Sequence, residues 1–215
     1  MLQITTVEEK TFQLLKRLMS DERLSDFILA GGTNLALQIG HRKSYDLDMF
    51  PYKHFETAEL LEYLKTQYDF QPEMVKEHNT IVGLIDGVKV DFVAHIYPPL
   101  QKPVVEDGIR MYSLPDIVSM KLNAIGQNGT RLKDFVDVAY MSTIMSLKEM
   151  LDYFVAKYTN ASSYHAAKGL AYFDEIKFGV EIKLCSGKKF EWKKIEKRIR
   201  EMFKYETKIF ETPPI

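Results

Sequence analysis

The sequence predicts a chain in two parts, an α/β half followed by a helical half. Three observations predict it. Up to about residue 112, short apolar or alternating runs are interleaved with helical periodicities. Asp86-Gly87 separates two such runs, and this pair is a strong signal for a two-residue hairpin because the turn needs positive φ. From Leu114 onward the apolar spacing is helical to the end. The length of 215 residues exceeds one average domain of roughly 100–200 residues and suits two small ones. The division falls near 100–113, where Pro98, Pro99 and Pro103 mark a boundary, and the domains are drawn at 1–108 and 109–215.

In order, Phe12, Leu14, Leu15 and Leu18 give a helix within 7–24. Phe27-Ile28-Leu29-Ala30 is a buried strand stopped by Gly31-Gly32. Thr33 to Ile39 is a helix ended by Gly40. Asp46-Leu47-Asp48-Met49-Phe50 alternates with period two, as a half-buried strand does, and Pro51 ends it. Thr57 to Tyr68 is amphipathic, and strands at 81–85 and 88–93 flank the hairpin turn. A short strand at 109–112 precedes helices at 114–125, 132–144, 147–158, 164–173 and 190–210. Ser113 is the expected cap of the first of these, with Pro115 and Asp116 in its opening turn.

With 46% hydrophobic and 27% charged residues, the chain has ample apolar material for a core, which excludes wholesale disorder. No run approaches the roughly 18 apolar residues of a membrane span, and the start carries no secretory pattern. The lone Cys185 forms no internal disulfide and no thiolate zinc cage, so a reducing, cytoplasmic setting is expected. The net charge of −1 is uneven: ten Lys/Arg against four Asp/Glu between Lys183 and Lys208 make a local +6.

The chemistry is concentrated in a few carboxylates. Asp46 and Asp48, two apart on one strand, leave the same face, and such a pair repels itself unless a cation or shared proton relieves it. Hard divalent ions take oxygen ligands and keep positions open for phosphates. Asp91, on the second hairpin strand, supplies a third carboxylate if that strand lies beside the first. Three such groups can hold two ions about 3.5–4 Å apart, the arrangement that clamps both oxygens in phosphoryl transfer. Upstream, Gly31-Gly32-Thr33 opens a helix directly after a strand, where backbone N–H groups and the helix dipole suit a phosphate. Each part alone has a bland reading as a turn, a solvated edge or a polar strand face. Their ordered combination describes a nucleotidyl-transfer site.

The segment FILAGGTNLALQIGHRKSYDLDMF resembles the signature of the DNA polymerase β-like nucleotidyltransferase superfamily. Together with SLPDIVSMKLNAIGQNGTRLKDFVDVAYM and GLAYFDE it is most similar to the AbiEii/AbiGii toxin family, over roughly residues 10 to 175. The resemblance implies a nucleotidyltransferase fold, with a mixed sheet flanked by helices, followed by a helical bundle. It implies binding of an NTP triphosphate by Gly31, Gly32 and Thr33, and of Mg²⁺ or Mn²⁺ by Asp46, Asp48 and Asp91. It places Lys121 on nucleotide phosphates and matches Asp134 to a later acidic position, with Asp137 a competing candidate one helical turn away. The implied role is transfer of NMP to an acceptor hydroxyl, with RNA, tRNA above all, as acceptor. The setting would be a bacterial toxin–antitoxin or phage-defence system with an antitoxin partner. Nucleotidylation of a small molecule or a protein, and a non-catalytic nucleotide-binding interaction module, are the alternatives.

His41-Arg42-Lys43 precedes the Asp-x-Asp strand and reads either as a charge facing the triphosphate or acceptor, Arg42 included, or as an ordinary basic loop. Lys121 falls within the apolar stripe of its helix, so it snorkels or reaches into a cleft. His54, His78, His95 and His165 lack metal-ligand spacing and read as structural or surface residues. On the basic C-terminal helix Trp192, Ile195, Ile199, Met202 and Phe203 share one face, and the charged side reads as solvated or as a contact for an RNA backbone.

Overall fold

A strand that stops at a glycine and a strand that carries Asp48 become neighbours in the centre of one sheet. The computed structural model describes residues 1–76 and 79–215, so His78 lies outside the described residues. It divides into two units, residues 1–40 with 44–112 and residues 41–43 with 113–215.

The first unit contains α1 (Glu9–Ser20), β1 (Ile28–Ala30), α2 (Gly31–Ile39), β2 (Leu47–Phe50), α3 (Thr57–Tyr68), β3 (Gln71–Lys76), β4 (Thr80–Ile85), β5 (Val88–Val93), β6 (Val104–Glu106) and β7 (Ile109–Met111). The strands form one mixed sheet in the order β3-β4-β5-β2-β1-β7-β6. β1 runs antiparallel to β2 and parallel to β7, and β2 runs parallel to β5. The pairing of β7 with β1, extended by the Tyr112 N–H to the Leu29 carbonyl at 3.1 Å, carries the sheet four residues past the sequence boundary at 108. Leu29, Leu47, Met49, Val90, Phe92 and Met111 are fully buried. They meet Leu14, Leu15 and Leu18 of α1 and Leu64 of α3 in one core.

The Asp86-Gly87 turn forms as predicted, with φ of +52° and +75° at its two residues. The helix expected within 7–24 stops earlier. At Asp21 the backbone turns extended, its carboxylate accepts from the Arg23 N–H, and a short 3₁₀ turn follows over Glu22–Leu24. Asp21 also accepts from the hydroxyls of Tyr63 and Tyr68, each at 2.6 Å. Two strands carry no sequence signal. β3 is exposed throughout and holds Pro72, and β6 has three residues; both are sheet edges, where one missing donor and a wet surface are tolerated.

The second unit contains α4 (Leu114–Gln127), α5 (Leu132–Met141), α6 (Leu147–Lys157), α7 (Ser163–Leu170) and α8 (Trp192–Lys204). Ser113 caps α4 as expected: its Oγ accepts from the Asp116 N–H and donates to Asp116 Oδ2 at 2.6 Å. Asp116 is fully buried and its other oxygen meets Lys157 at 2.8 Å, so the two charges are taken from water as a pair. α4 packs on α5, α6 and α7, and α5 on α8. Trp192 stands edge-on to Phe135, Phe173 and Phe178. Among the described residues, no helix is long and apolar enough to cross a membrane.

Candidate active site

β2 and β5 align in parallel so that Asp48 is the register partner of Asp91. Cross-strand partners project from the same face of a sheet, so these two carboxylates sit side by side. Asp46 immediately precedes β2 rather than lying within it. Lys89, two residues before Asp91 on β5, donates to Asp91 Oδ2 at 2.9 Å. Burial opposes its ammonium, but the hydrogen bond to Asp91 and the charges of Asp91, Asp46 and Asp48 outweigh burial and raise its pKa above the ordinary lysine value. One cation therefore feels all three predicted carboxylates.

On the other side of β2, Ala30 of β1 is the register partner of Asp48, and Gly31 follows directly. Gly31 has φ +64°, and a Cβ there would stand 1.8 Å from Asp48 Oδ2. Only glycine tolerates both the backbone and the approach of that carboxylate, which lies against the opening of α2. The Thr33 side chain is fully buried. Its hydroxyl donates to the Asp46 carbonyl, which can only accept, and so takes its second hydrogen bond from Ser44 Oγ at 2.9 Å. Thr33 thus fixes the backbone that carries Asp46 and does not present its hydroxyl to the surface.

Among the described residues, no three Asp, Glu, His or Cys side chains are drawn together closely enough to enclose an ion by themselves. The donor set nonetheless fits a hard divalent cation. It consists of carboxylate oxygens, and Asp91 Oδ1 is buried without a hydrogen-bond partner.

Gly32 lies in the first turn of α2, while Arg42, Lys121, Asp134 and Asp137 come together in the second unit. Asp137 on α5 is fully buried and joins three groups. Arg42 reaches it side-on, with Nε to Oδ1 at 2.6 Å and Nη2 to Oδ2 at 2.8 Å. His41 Nε2 lies 2.8 Å from Oδ1, and Lys121 Nζ lies 2.8 Å from Oδ2 and 2.6 Å from Asp134 Oδ1. Burial works against the Asp137 charge, but Arg42, Lys121 and the hydrogen bonds from His41 and Arg42 hold its pKa well below the usual carboxylate range. At His41, by contrast, burial outweighs the pull of Asp137 and pushes its pKa down, which favours the neutral ring; facing a carboxylate, its Nε2 donates. Lys121 is favoured as an ammonium because Asp134 and Asp137 overcome its burial.

Of the two readings its sequence context offered, a charge facing the triphosphate or acceptor and an ordinary basic loop, the second does not describe Arg42: its side chain is 2% exposed and paired. Lys121 does not snorkel, because its ammonium is turned inward to the two aspartates. Asp137, which the sequence left as a competitor of Asp134, is the aspartate that Arg42 meets. The signal was present in its one-turn spacing from Asp134, but periodicity alone does not say which aspartate faces an arginine 95 positions away.

Elsewhere, His54 bonds to Asn79, His95 stacks on Phe50 and meets Tyr97 at a tilt, and His165 is exposed. On α8, Ile195, Ile199 and Met202 are buried as the pattern predicts. Arg198, expected on the charged face, is also buried and bonds to Ser142 Oγ and the Thr212 carbonyl.

The chain matches the family described as nucleotidyl transferase AbiEii toxin, type IV toxin–antitoxin system, over residues 13–204. An uncharacterized protein of Aquifex aeolicus (strain VF5), aq_aa25, is 31% identical over 175 residues, covering 77% of this chain and 82% of that protein. Among solved structures, JHP933 from Helicobacter pylori is similar with a TM-score of 0.46 and 15% identity, covering 93% of this chain and 97% of that one. A nucleotidyltransferase-like antigenic protein from Paracoccidioides brasiliensis gives 0.48 and 13%, covering 76% and 94%. These structural likenesses are distant, and the assignment rests on the sequence match along nearly the whole chain. The chain belongs to the AbiEii nucleotidyltransferase toxin family.

Proposed function

We propose that this chain is a metal-dependent nucleotidyltransferase that moves an NMP from an NTP to an acceptor hydroxyl on RNA, with tRNA the favoured acceptor. The observation that carries this reading is the register of Asp48 against Asp91, with Asp46 close enough to act on the same lysine. Asp46, Asp48 and Asp91 would hold Mg²⁺ or Mn²⁺. When bound, such ions neutralise charge on the attacking and leaving oxygens and acidify the acceptor hydroxyl. Gly31 and Gly32, at the opening of α2, would meet the triphosphate through backbone N–H groups.

Asp91, or a group near it, would help to take the proton from the acceptor hydroxyl. The acceptor oxygen bonds to the α-phosphorus, the bond from that phosphorus to the α–β bridging oxygen breaks, and pyrophosphate leaves with the electron pair. Thr33 holds Asp46 in place through its carbonyl. A phosphate role for Lys121 is part of the proposal: an ammonium has three N–H donors, and Asp134 and Asp137 take two. Arg42 and Asp134 are positioning residues, the first holding Asp137 and the second Lys121. The family's description supports a toxin with a cognate antitoxin, and a cytoplasmic setting is part of the proposal.

The test incubates the protein with Mg²⁺, each α-labelled NTP and total RNA, beside an Asp46→Ala/Asp48→Ala variant. Label in RNA with the intact pair alone supports the reading. Label in protein or in a small molecule moves the acceptor to those classes. Nucleotide binding without transfer to any acceptor class leaves a non-catalytic module.

A further inference from the structure

Lys89 is absent from the motifs that carry the family resemblance, yet it is in direct contact with Asp91. It lies on the half-exposed face of β5 with Asp91, while Val88, Val90 and Phe92 point into the core. Its ammonium is 2.9 Å from Asp91 Oδ2, and the second oxygen of the same carboxylate has no hydrogen-bond partner. Its side chain is 42% exposed against 19% for Asp91, so the lysine can leave toward water while the carboxylate stays anchored in the sheet. Among the described residues no carboxylate trio is closed enough to hold an ion unaided.

We propose that Lys89 is the resident counter-cation of the carboxylate site, holding Asp91 in the metal-free protein and giving way when a divalent cation enters. Two aspartates facing one another across β2 and β5 repel, and a lysine tethered two residues away relieves that repulsion without a bound ion. The consequence is competition. An entering ion competes with the Lys89 ammonium for the Asp91 carboxylate, so the metal-free protein takes up metal more weakly than its carboxylates alone would allow. A metal that arrives with a triphosphate meets the same contact with additional ligands of its own. The inference rests on the metal-dependent reading above.

The experiment measures Mn²⁺ binding to the full chain, without nucleotide, from the electron paramagnetic resonance signal of the free aqua ion. Wild type is compared with Lys89→Gln, Lys89→Met, Lys89→Arg and Asp48→Asn, with circular dichroism to confirm that each is folded. Removing the ammonium should tighten Mn²⁺ binding about three- to fivefold, the scale of a partly exposed ion pair. Lys89→Met keeps the aliphatic stem and serves if Lys89→Gln does not fold. Lys89→Arg should bind no more tightly than wild type, and Asp48→Asn should lose binding. If wild type binds Mn²⁺ and the neutral variants bind equally or less well, Lys89 is not a competitor and the inference falls alone. If neither wild type nor the neutral variants bind at millimolar Mn²⁺, the metal-dependent reading falls and takes this inference with it.

Discussion

Asp48 on β2 and Asp91 on β5 are partners across a parallel pair of strands, although 43 positions separate them in the chain. The same Asp48 rests against Gly31 at the opening of α2. A strand end, a helix start and a hairpin strand thus meet at one carboxylate, and the predictions below depend on how tightly that meeting is built.

Gly31→Ala should damage the site more than the fold. The left-handed φ costs an alanine roughly 1–2 kcal/mol. The added methyl also occupies the place of Asp48 Oδ2, so the carboxylate must turn away. The expected result is a modest drop in thermal stability by circular dichroism and a loss of nucleotidyl transfer to background. Transfer near the wild-type rate would show that Asp48 does not need its observed position.

Asp137→Asn should be strongly destabilising. It leaves Arg42 and Lys121 buried with one shared acceptor weakened, the situation in which breaking a buried pair costs about 3–5 kcal/mol. Chemical denaturation monitored by Trp192 fluorescence measures it, since this tryptophan stands against Phe135 on the same helix as Asp137. A change under about 1 kcal/mol would mean that the network relaxes into solvent.

His41 makes stability depend on pH. Its folded pKa lies below that of the unfolded chain, near 6.5, so below that value the unfolded state binds the extra proton. Stability contributed by the neutral ring is present above about pH 6.5 and is lost as the pH falls through 6 and 5. Asp137, also depressed, adds a second loss that begins below about pH 4. Denaturation midpoints at pH 7.5 and 5 should therefore differ, and His41→Gln should flatten the difference. An unchanged slope in that variant would remove His41 as its source.

Much of this was legible in the sequence because it is local. The Asp86-Gly87 turn, the Ser113 cap and the buried stripe of α8 follow from residues within one or two turns of each other, and each formed as the pattern implies. The edges β3 and β6 were not legible, since an exposed edge strand needs no apolar alternation. Asn34 shows the same limit. Its fully buried amide donates to the carbonyls of Leu29 and Tyr112 and ties α2 to both strands, yet in sequence it is one polar residue in a helix. The roles of Arg42 and Lys89 depend on partners placed by the fold. A charge in a basic run reads as solvated until an aspartate from another element meets it.

The central claim is that the face shared by Asp48 and Asp91 transfers a nucleotidyl group. The most direct measurement is a single-turnover reaction with Mg²⁺, RNA and NTP labelled separately at the α- and γ-phosphates, run on wild type, Asp48→Asn and Asp91→Asn. The account predicts α-label in RNA, γ-label in pyrophosphate, and a rate lower by roughly three orders of magnitude in both variants. Transfer of γ-label to the acceptor, or α-label transfer undiminished in either variant, would contradict it.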